Sequence, residues 1–281
     1  MDKILPADLY INIDGVRTRY WTQGESGSAV LLIHGLGGFV ENWMHNIGPL
    51  SERHRVYALD LLGFGLTDKT PLVRNMYQLV DFIDAFLETI RPGRVALIGN
   101  SLGGGLALYY TVQHPEKVDK IVLADNAGMG RQVCADFRWC AVPVLNNFIT
   151  RSSRESTARI LSTLVYDRSK ITKEFIDLAF KYASAPGAVK ALMTTLYAGI
   201  DIFGQRSKLT RRLREELAGL KVPALVIWGR QDRIIPLSHG YIARDRIPGA
   251  RLEIIDNCGH MPMFEQPEKF NRLVLDFLDG K

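Results

Sequence analysis

The amino-acid sequence predicts an α/β fold in which a mostly parallel sheet is flanked by helices. Three observations carry this prediction: a series of short apolar runs, helical patterns between them, and one long stretch without strands. A parallel strand is covered on both faces and therefore appears as a near-continuous apolar run. Six runs have this form: Ala29–His34, Arg55–Asp60, Arg94–Gly99, Lys120–Asp125, Ala224–Gly229 and Arg251–Asp256. Their alternation with helices indicates a sheet covered on both sides.

Two more strands precede these runs, which brings the expected sheet to eight strands. Residues Asp8–Ile13 and Val16–Trp21 are joined by Asp14-Gly15, a dipeptide typical of tight hairpins. Apolar residues recur every three or four positions in Met76–Ile90 and again in Pro267–Leu278. That spacing predicts a helix in each of these two segments.

The alternation stops after the sixth expected strand, Lys120–Asp125. Helical patterns without a convincing strand follow, at 155–166, 173–184 and 188–199. A helical insertion between two sheet strands is best explained as a cap over one end of the sheet. We therefore expect a core of residues 1–129 and 208–281, with a helical cap of residues 130–207.

The composition is that of an ordinary soluble globular protein, with 47% hydrophobic and 23% charged residues and a net charge of +5. No basic tract alternates with aromatic residues, which argues against a nucleic-acid partner. No apolar run approaches the ~20 residues of a membrane span, and the N-terminus lacks a signal-peptide pattern. We expect a cytoplasmic protein without a membrane partner.

The cysteines and histidines do not form a disulfide framework or a metal site. Cys134, Cys140 and Cys258 are odd in number and form no Cys-x-x-Cys pair, which favours a reducing compartment. The His and Cys residues also lack zinc-site spacing, so we expect no metal.

A serine stands where a buried strand turns into a helix, in the stretch ALIGNSLGGG from Ala96 to Gly105. Gly99, Ser101 and Gly103 match Gly-x-Ser-x-Gly, the spacing of a nucleophile elbow. So sharp a turn leaves no room for side chains two positions either side of the serine, and glycine avoids that clash. The following helix N-terminus favours negative charge that develops nearby. Ser101 is therefore a candidate nucleophile.

A second glycine-rich loop, HGLGG at His34–Gly38, closes the strand Ala29–His34. Glycines there allow backbone N–H groups to approach a carbonyl oxygen closely. We expect the N–H groups of Leu36 and Leu102 to form an oxyanion hole, which stabilises the charge on that oxygen.

Two further candidates follow the last two strands. Asp232 comes just after Ala224–Gly229, and His260 just after Arg251–Asp256. Open α/β sheets place their sites at the carboxyl ends of the strands. We therefore expect Ser101, Asp232 and His260 to meet at one edge of the sheet.

Two residues compete with these assignments. Asp125 also ends a strand and is an alternative to Asp232 as the acid, although Asp232 lies in the stronger motif. Cys258 lies two residues before His260, but it lacks an elbow, and we interpret it as a packing residue.

These motifs resemble the α/β-hydrolase superfamily, in particular its capped serine esterases and meta-cleavage-product hydrolases. HGLGG, DLLGFGLTD, GNSLGG, WGRQDRIIP and GHMPMFEQP occur in the family's order over nearly the whole chain. The resemblance implies that Ser101 is the nucleophile, His260 its base and Asp232 the acid that orients the imidazole. It implies an acyl-enzyme reaction without a cofactor.

The resemblance leaves the substrate open among several classes. A serine at the elbow argues against haloalkane dehalogenases and epoxide hydrolases, whose family nucleophile is an aspartate. Meta-cleavage-product hydrolases usually carry a Trp after the catalytic His, where this chain has Met261. We therefore favour a carboxylesterase for short to medium acyl chains. A C–C bond hydrolase of ring-fission products and a non-catalytic ligand receptor are the alternatives.

The expected partner is a small-molecule ester bound by an apolar site under the cap. We expect four residues to contact it: Gly35, Phe64, Trp139 and Met261. The sequence is compatible with a monomer or a homodimer.

Overall fold

The computed structural model describes residues 5–142 and 153–281, and its centre is one eight-stranded sheet. Its strands are Leu9–Ile13 (β1), Val16–Gln23 (β2), Ala29–Ile33 (β3), Arg55–Leu59 (β4), Val95–Asn100 (β5), Val118–Ala124 (β6), Ala224–Gly229 (β9) and Arg251–Ile255 (β10). Their spatial order is β1-β2-β4-β3-β5-β6-β9-β10. Pairings from β4 through β10 are parallel, whereas β1–β2 and β2–β4 are antiparallel. The predicted mostly parallel eight-stranded sheet is confirmed.

The N-terminal hairpin turns where the sequence predicts it. Asp14 and Gly15 both have positive φ, at 50° and 84°, as a two-residue type I′ turn requires. The side chain of Asn12 accepts a hydrogen bond from the Gly15 N–H at 2.8 Å. Ile13 consequently pairs with Val16 at the end of the ladder.

The central strands are buried on both faces, as their apolar runs predict. In β3, Leu31 and Ile33 belong to the hydrophobic cluster on one side of the sheet. Val30 and Leu32 belong to the cluster on the other side. This alternation follows from the two-residue period of a strand, and it holds the sheet between two helical layers.

Helices cover both faces of this sheet. The α-helices outside the interval 130–207 are Ile47–Ser51, Tyr77–Ile90, Leu102–Gln113, Ser238–Arg246, Pro262–Glu265 and Pro267–Leu278. A further helix, Ser207–Glu216, begins at the last residue of that interval. The helix predicted at Met76 begins one residue later, and the one predicted for Pro267–Leu278 has those bounds. None of the described helices is long and apolar enough to cross a membrane.

The interval between β6 and β9 is mainly helical in the part that the structure describes. Its helices are Ala135–Cys140, Arg154–Leu164, Lys173–Ala183 and Ala188–Gly199. The expectation of no strand there is wrong in detail, because Ile200–Asp201 (β7) and Gly204–Gln205 (β8) form a two-stranded antiparallel ladder. Strands of two residues are too short to leave an alternating pattern in the sequence.

This interval contacts the loops that follow three sheet strands. The Leu164 carbonyl accepts a hydrogen bond from the His260 N–H at 2.7 Å, beyond β10. A Cβ added at Gly37, beyond β3, would meet Leu192 at 3.5 Å. A Cβ at Gly63, beyond β4, would meet Ala191 at 3.0 Å. The helical segment therefore lies over the carboxyl ends of the strands.

A buried polar cluster attaches the same segment to the core. The hydroxyl of Tyr182, in the helix Lys173–Ala183, donates to Glu41 at 2.8 Å and accepts from Arg19 at 3.3 Å. Arg19 also forms ion pairs with Glu41 at 2.6 Å and Asp60 at 3.4 Å. Charged groups this deeply buried are tolerated because each has a partner of opposite charge.

Candidate active site

Ser101 occupies the sharp turn between β5 and the helix Leu102–Gln113. Its backbone has φ 55° and ψ −118°, a conformation that L residues rarely adopt. The surrounding structure holds this conformation by hydrogen bonds: the Ser101 N–H donates to Ala124 O at 2.9 Å, and its carbonyl accepts from Ala127 N at 2.9 Å. Such strained residues cluster at functional sites.

The two flanking glycines are required by the close approach of neighbouring backbone. A Cβ added at Gly99 would overlap the carbonyl oxygen of Gly103. A Cβ added at Gly103 would overlap the carbonyl oxygen of Ile33 in β3. The steric reason that the sequence suggests for Gly-x-Ser-x-Gly therefore applies in the fold.

His260 and Asp232 lie together beyond β10 and β9. His260 Nδ1 is 2.8 Å from Asp232 Oδ2, and both side chains are almost fully buried. The other carboxylate oxygen of Asp232 accepts from the N–H groups of Ile234 at 2.7 Å and Ile235 at 3.1 Å. These bonds orient the carboxylate toward the imidazole.

Asn100 links this pair to the elbow. Its side-chain amide donates to the His260 carbonyl at 2.9 Å and to the Ala124 carbonyl at 3.2 Å. Asn100 directly precedes Ser101, so the amide fixes the His260 loop relative to the serine. The motif GNSLGG does not reveal this contact, because His260 is 160 residues away in sequence.

The N–H groups of Leu36 and Leu102 have no hydrogen-bond acceptor among the described residues. Both residues border the same cavity as Ser101. Gly35 lies behind the serine, where an added Cβ would be 3.1 Å from Ser101 Cβ. Unpaired N–H groups beside a serine are one of the features that an oxyanion hole requires.

His34 bonds the loop that carries Leu36, a contact that the sequence pattern does not reveal. Its Nε2 accepts from the Leu61 N–H at 3.0 Å, so Nδ1 carries the proton and donates to the Gly35 carbonyl at 2.7 Å. Complete burial lowers the pKa of His34 from 6.5 to about 4. The neutral imidazole therefore bridges the Gly35 carbonyl and the Leu61 N–H.

A narrow cavity of about 80 Å³ opens beside Ser101. One face of the helix Leu102–Gln113 forms a wall of it through Leu102, Gly105, Leu106 and Tyr109, which recur at helical spacing. Its remaining lining is Leu36, Met76, Ala127, Gly128, Val133, Phe137, Thr195, Leu196, Gly199, Ile200, Gln205, Leu209, Thr210 and Ile235. None of these described lining residues carries a charge.

The four residues predicted to contact substrate are not among the described residues that line this cavity. Trp139 is 59% exposed on the helix Ala135–Cys140. Phe64 is buried, with its ring edge-on to His34 at 5.8 Å. Met261 packs in the core, and Gly35 lies behind Ser101. Their role in substrate binding stays a prediction.

The two competing residues lie close to the pair. Asp125, at the end of β6, accepts from the Gly229 N–H at 2.9 Å. The ligand atoms of Asp125, Asp232 and His260 all lie within 4.8 Å of one another, close enough to share a cation, although Asp232 already bonds His260. Cys258 is fully buried, and burial raises the pKa of its thiol.

The fold and this edge-of-sheet arrangement define an α/β hydrolase. The family described as alpha/beta hydrolase fold matches residues 28–267. The chain belongs to that family.

Three similar proteins illustrate its range. A 2-hydroxy-6-oxo-6-(2'-aminophenyl)hexa-2,4-dienoic acid hydrolase of Metapseudomonas resinovorans is 32% identical over 97% of this chain and 91% of that protein. The structure of a meta-cleavage product hydrolase from Pseudomonas fluorescens IP01 is 30% identical, with a TM-score of 0.81 over 96% of this chain and 97% of that one. A structure described as a membrane phospholipase A is 27% identical, with a TM-score of 0.81 over 98% and 86%. The similar proteins thus include hydrolases of different substrates.

Proposed function

We propose that this hydrolase cleaves carboxylic esters with short to medium acyl chains, using Ser101, His260 and Asp232. The observation that carries this proposal is the uncharged cavity that opens directly beside Ser101. The transfer of a neutral apolar acyl group from water into such a lining is favourable, because apolar surface is removed from water. An anionic group would lose its hydration there without a cationic partner.

Each residue has a defined role in the proposed reaction. The Ser101 hydroxyl attacks the ester carbonyl while His260 takes its proton at Nε2, because Nδ1 is held by Asp232. The N–H groups of Leu36 and Leu102 bind the oxyanion of the tetrahedral intermediate. His260 then protonates the leaving alcohol, and a water molecule, deprotonated by the same imidazole, releases the acid from Ser101.

The length of the cavity supports the proposed chain length. Its wall runs along the helix from Ser101 to Tyr109, eight residues apart. At 1.5 Å per residue this corresponds to about 12 Å. We therefore propose acetate to octanoate esters rather than long-chain ones.

We also propose that residues 130–207 act as a cap on a core of residues 1–129 and 208–281. The contacts of this segment with loops beyond β3, β4 and β10 support that division. A small-molecule partner and a cytoplasmic location without cofactor or metal remain parts of the same proposal.

A C–C bond hydrolase is the second candidate, and the relative from Metapseudomonas resinovorans favours it. That relative's name describes a substrate that is a dienoic acid. Such an acid would bring a carboxylate to the site, and the described lining of this cavity offers it no Lys or Arg. This difference is why we place ester hydrolysis first.

A paired steady-state assay tests the proposal. Wild type and Ser101→Ala are compared on p-nitrophenyl acetate, butyrate and octanoate, and on one ring-fission dienone. We expect ester turnover that Ser101→Ala lowers by about 10⁴-fold, with the dienone cleaved far more slowly. Faster dienone cleavage would replace the proposal with the C–C hydrolase, and no turnover of either substrate class would favour a ligand receptor.

A further inference from the structure

A second buried carboxyl group lies beside Asp232 and has no part in the reaction described above. Asp125 follows β6, the neighbour of β9 in the sheet, and its side chain is completely buried. Its backbone has φ 46°, in the left-handed region. Non-glycine residues are uncommon in this region, although Asp and Asn adopt it more readily than others.

The two oxygens of Asp125 have different environments. Oδ1 accepts from the Gly229 N–H at 2.9 Å. Oδ2 is buried without a hydrogen-bond donor among the described residues. A buried carboxylate oxygen without a donor is unfavourable, because it has lost its hydrogen bonds to water and no protein donor replaces them.

A carboxylate oxygen of Asp232 lies within 4.8 Å of one of Asp125. Asp232 accepts more hydrogen bonds than Asp125 does. Its oxygens accept from Ile234 N, Ile235 N and His260 Nδ1. A second negative charge this close in a buried site is strongly disfavoured. Asp125 has one hydrogen-bond donor where Asp232 has three, so we place a proton on Asp125.

The other titratable groups around Asp125 favour the same distribution. Glu265 accepts from Gly259 N at 2.7 Å and from Asp167 N at 2.6 Å, and its proximity raises the pKa of Asp125 further. Cys258 is neutral, since burial raises the pKa of its thiol. Burial and the negative charge of Asp232 raise the pKa of Asp125 well above its ordinary value. No Lys or Arg among the described residues forms an ion pair with it.

We propose that Asp125 is a positioning residue whose neutral carboxylic acid donates a hydrogen bond from Oδ2 to Asp232. The inference rests on the proposed function, since it assigns a role through the triad acid. The bond satisfies the buried oxygen and holds the Asp232 carboxylate against His260. It also withdraws negative charge from Asp232, so the imidazolium is stabilised less than by an unshared carboxylate.

Three variants separate this role from a merely structural one. Asp125→Asn keeps a donor toward Asp232 and tolerates the left-handed backbone, whereas Asp125→Ala removes the donor. Asp119→Asn is the matched control, because Asp119 lies at the other end of β6, is 38% exposed and pairs with Arg94. The measurement is the acid limb of the pH profile of kcat/KM for p-nitrophenyl butyrate.

We expect the acid limb of Asp125→Asn and of Asp119→Asn to stay where it is in wild type. In Asp125→Ala the limb should move to higher pH by about one unit, because Asp232 then stabilises the imidazolium more strongly. A limb that moves to lower pH in Asp125→Asn would overturn the proposal, since it would show that a negative charge had been removed. A limb unmoved in Asp125→Ala would also overturn it.

A second measurement does not depend on turnover and therefore separates failure of this proposal from failure of the proposed function. Infrared spectra are recorded at pH 7 on protein with ¹³C-labelled aspartate carboxyl groups. The difference between wild type and Asp125→Asn should contain the C=O stretch of a protonated acid. Loss of carboxylate intensity alone would overturn the proposal, whether or not the enzyme cleaves esters.

Discussion

The side-chain amide of Asn100 donates a hydrogen bond to the backbone carbonyl of His260 across 2.9 Å. The two residues are 160 positions apart in sequence, yet this bond ties the elbow to the loop that carries the imidazole. The proposed nucleophile and base are thus positioned by a contact outside the triad.

We predict that Asn100→Ala lowers kcat on p-nitrophenyl butyrate by about 10- to 100-fold while KM changes far less. A displacement of catalytic groups by about 1 Å costs rates of this order. Steady-state kinetics check the prediction, with a thermal melt to verify folding. An unchanged kcat in a folded variant would show that the bond does not position His260.

The elbow glycines give a stability prediction. Gly103→Ala should lower the free energy of unfolding by about 3 kcal/mol or more, because the new methyl group would overlap the Ile33 carbonyl. Gly48→Ala is the matched control, since a Cβ there meets nothing within 4 Å. Urea unfolding measures both, and equal stabilities would contradict the steric account.

The cavity beside Ser101 gives a specificity prediction. Thr195 borders it and is 1% exposed, whereas its neighbour Thr194 bonds the Lys190 carbonyl at 3.0 Å outside the cavity. Thr195→Phe should lower kcat/KM for octanoate about tenfold relative to acetate, because the ring takes space from the longer chain. Thr194→Phe should leave the ratio unchanged. A ratio that moves equally in both variants would place the acyl chain elsewhere.

The buried imidazole of His34 gives a pH prediction. In the unfolded chain it takes a proton near pH 6.5, but in the folded protein only near pH 4. Between these values the unfolded state binds more protons, so the contribution of His34 to stability rises with pH. The difference in unfolding free energy between wild type and His34→Asn should grow by ~3 kcal/mol from pH 4 to 6.5. A difference that does not vary with pH would mean that the folded protein accommodates the charged ring.

Much of the fold is predictable from the sequence, because the strands that surround Ser101 are buried on both faces. Burial on both faces requires apolar runs, and the close backbone approach at the elbow requires glycines. Both requirements can be read from short stretches of sequence. The short pair Ile200–Asp201 and Gly204–Gln205 is different, since it depends on distant contacts. The Gln205 N–H, for example, donates to the Arg131 carbonyl at 2.9 Å.

The candidate site shows the same division. The closeness of Asp232 and His260 follows from their places after neighbouring parallel strands. The cavity lining does not follow in this way, because periodicity cannot say which side of a short helix faces substrate. Trp139 and Phe137 both lie in the helix Ala135–Cys140, but only Phe137 borders the cavity.

Covalent labelling shows directly whether Ser101 is the nucleophile. An alkyl phosphonate p-nitrophenyl ester reacts with an activated serine by displacing p-nitrophenolate and leaves a stable adduct for mass spectrometry. We predict one adduct per chain in wild type, located on the peptide that contains Ser101, and none in Ser101→Ala. An adduct that persists in Ser101→Ala, or that maps to another residue in wild type, would exclude Ser101 as the nucleophile.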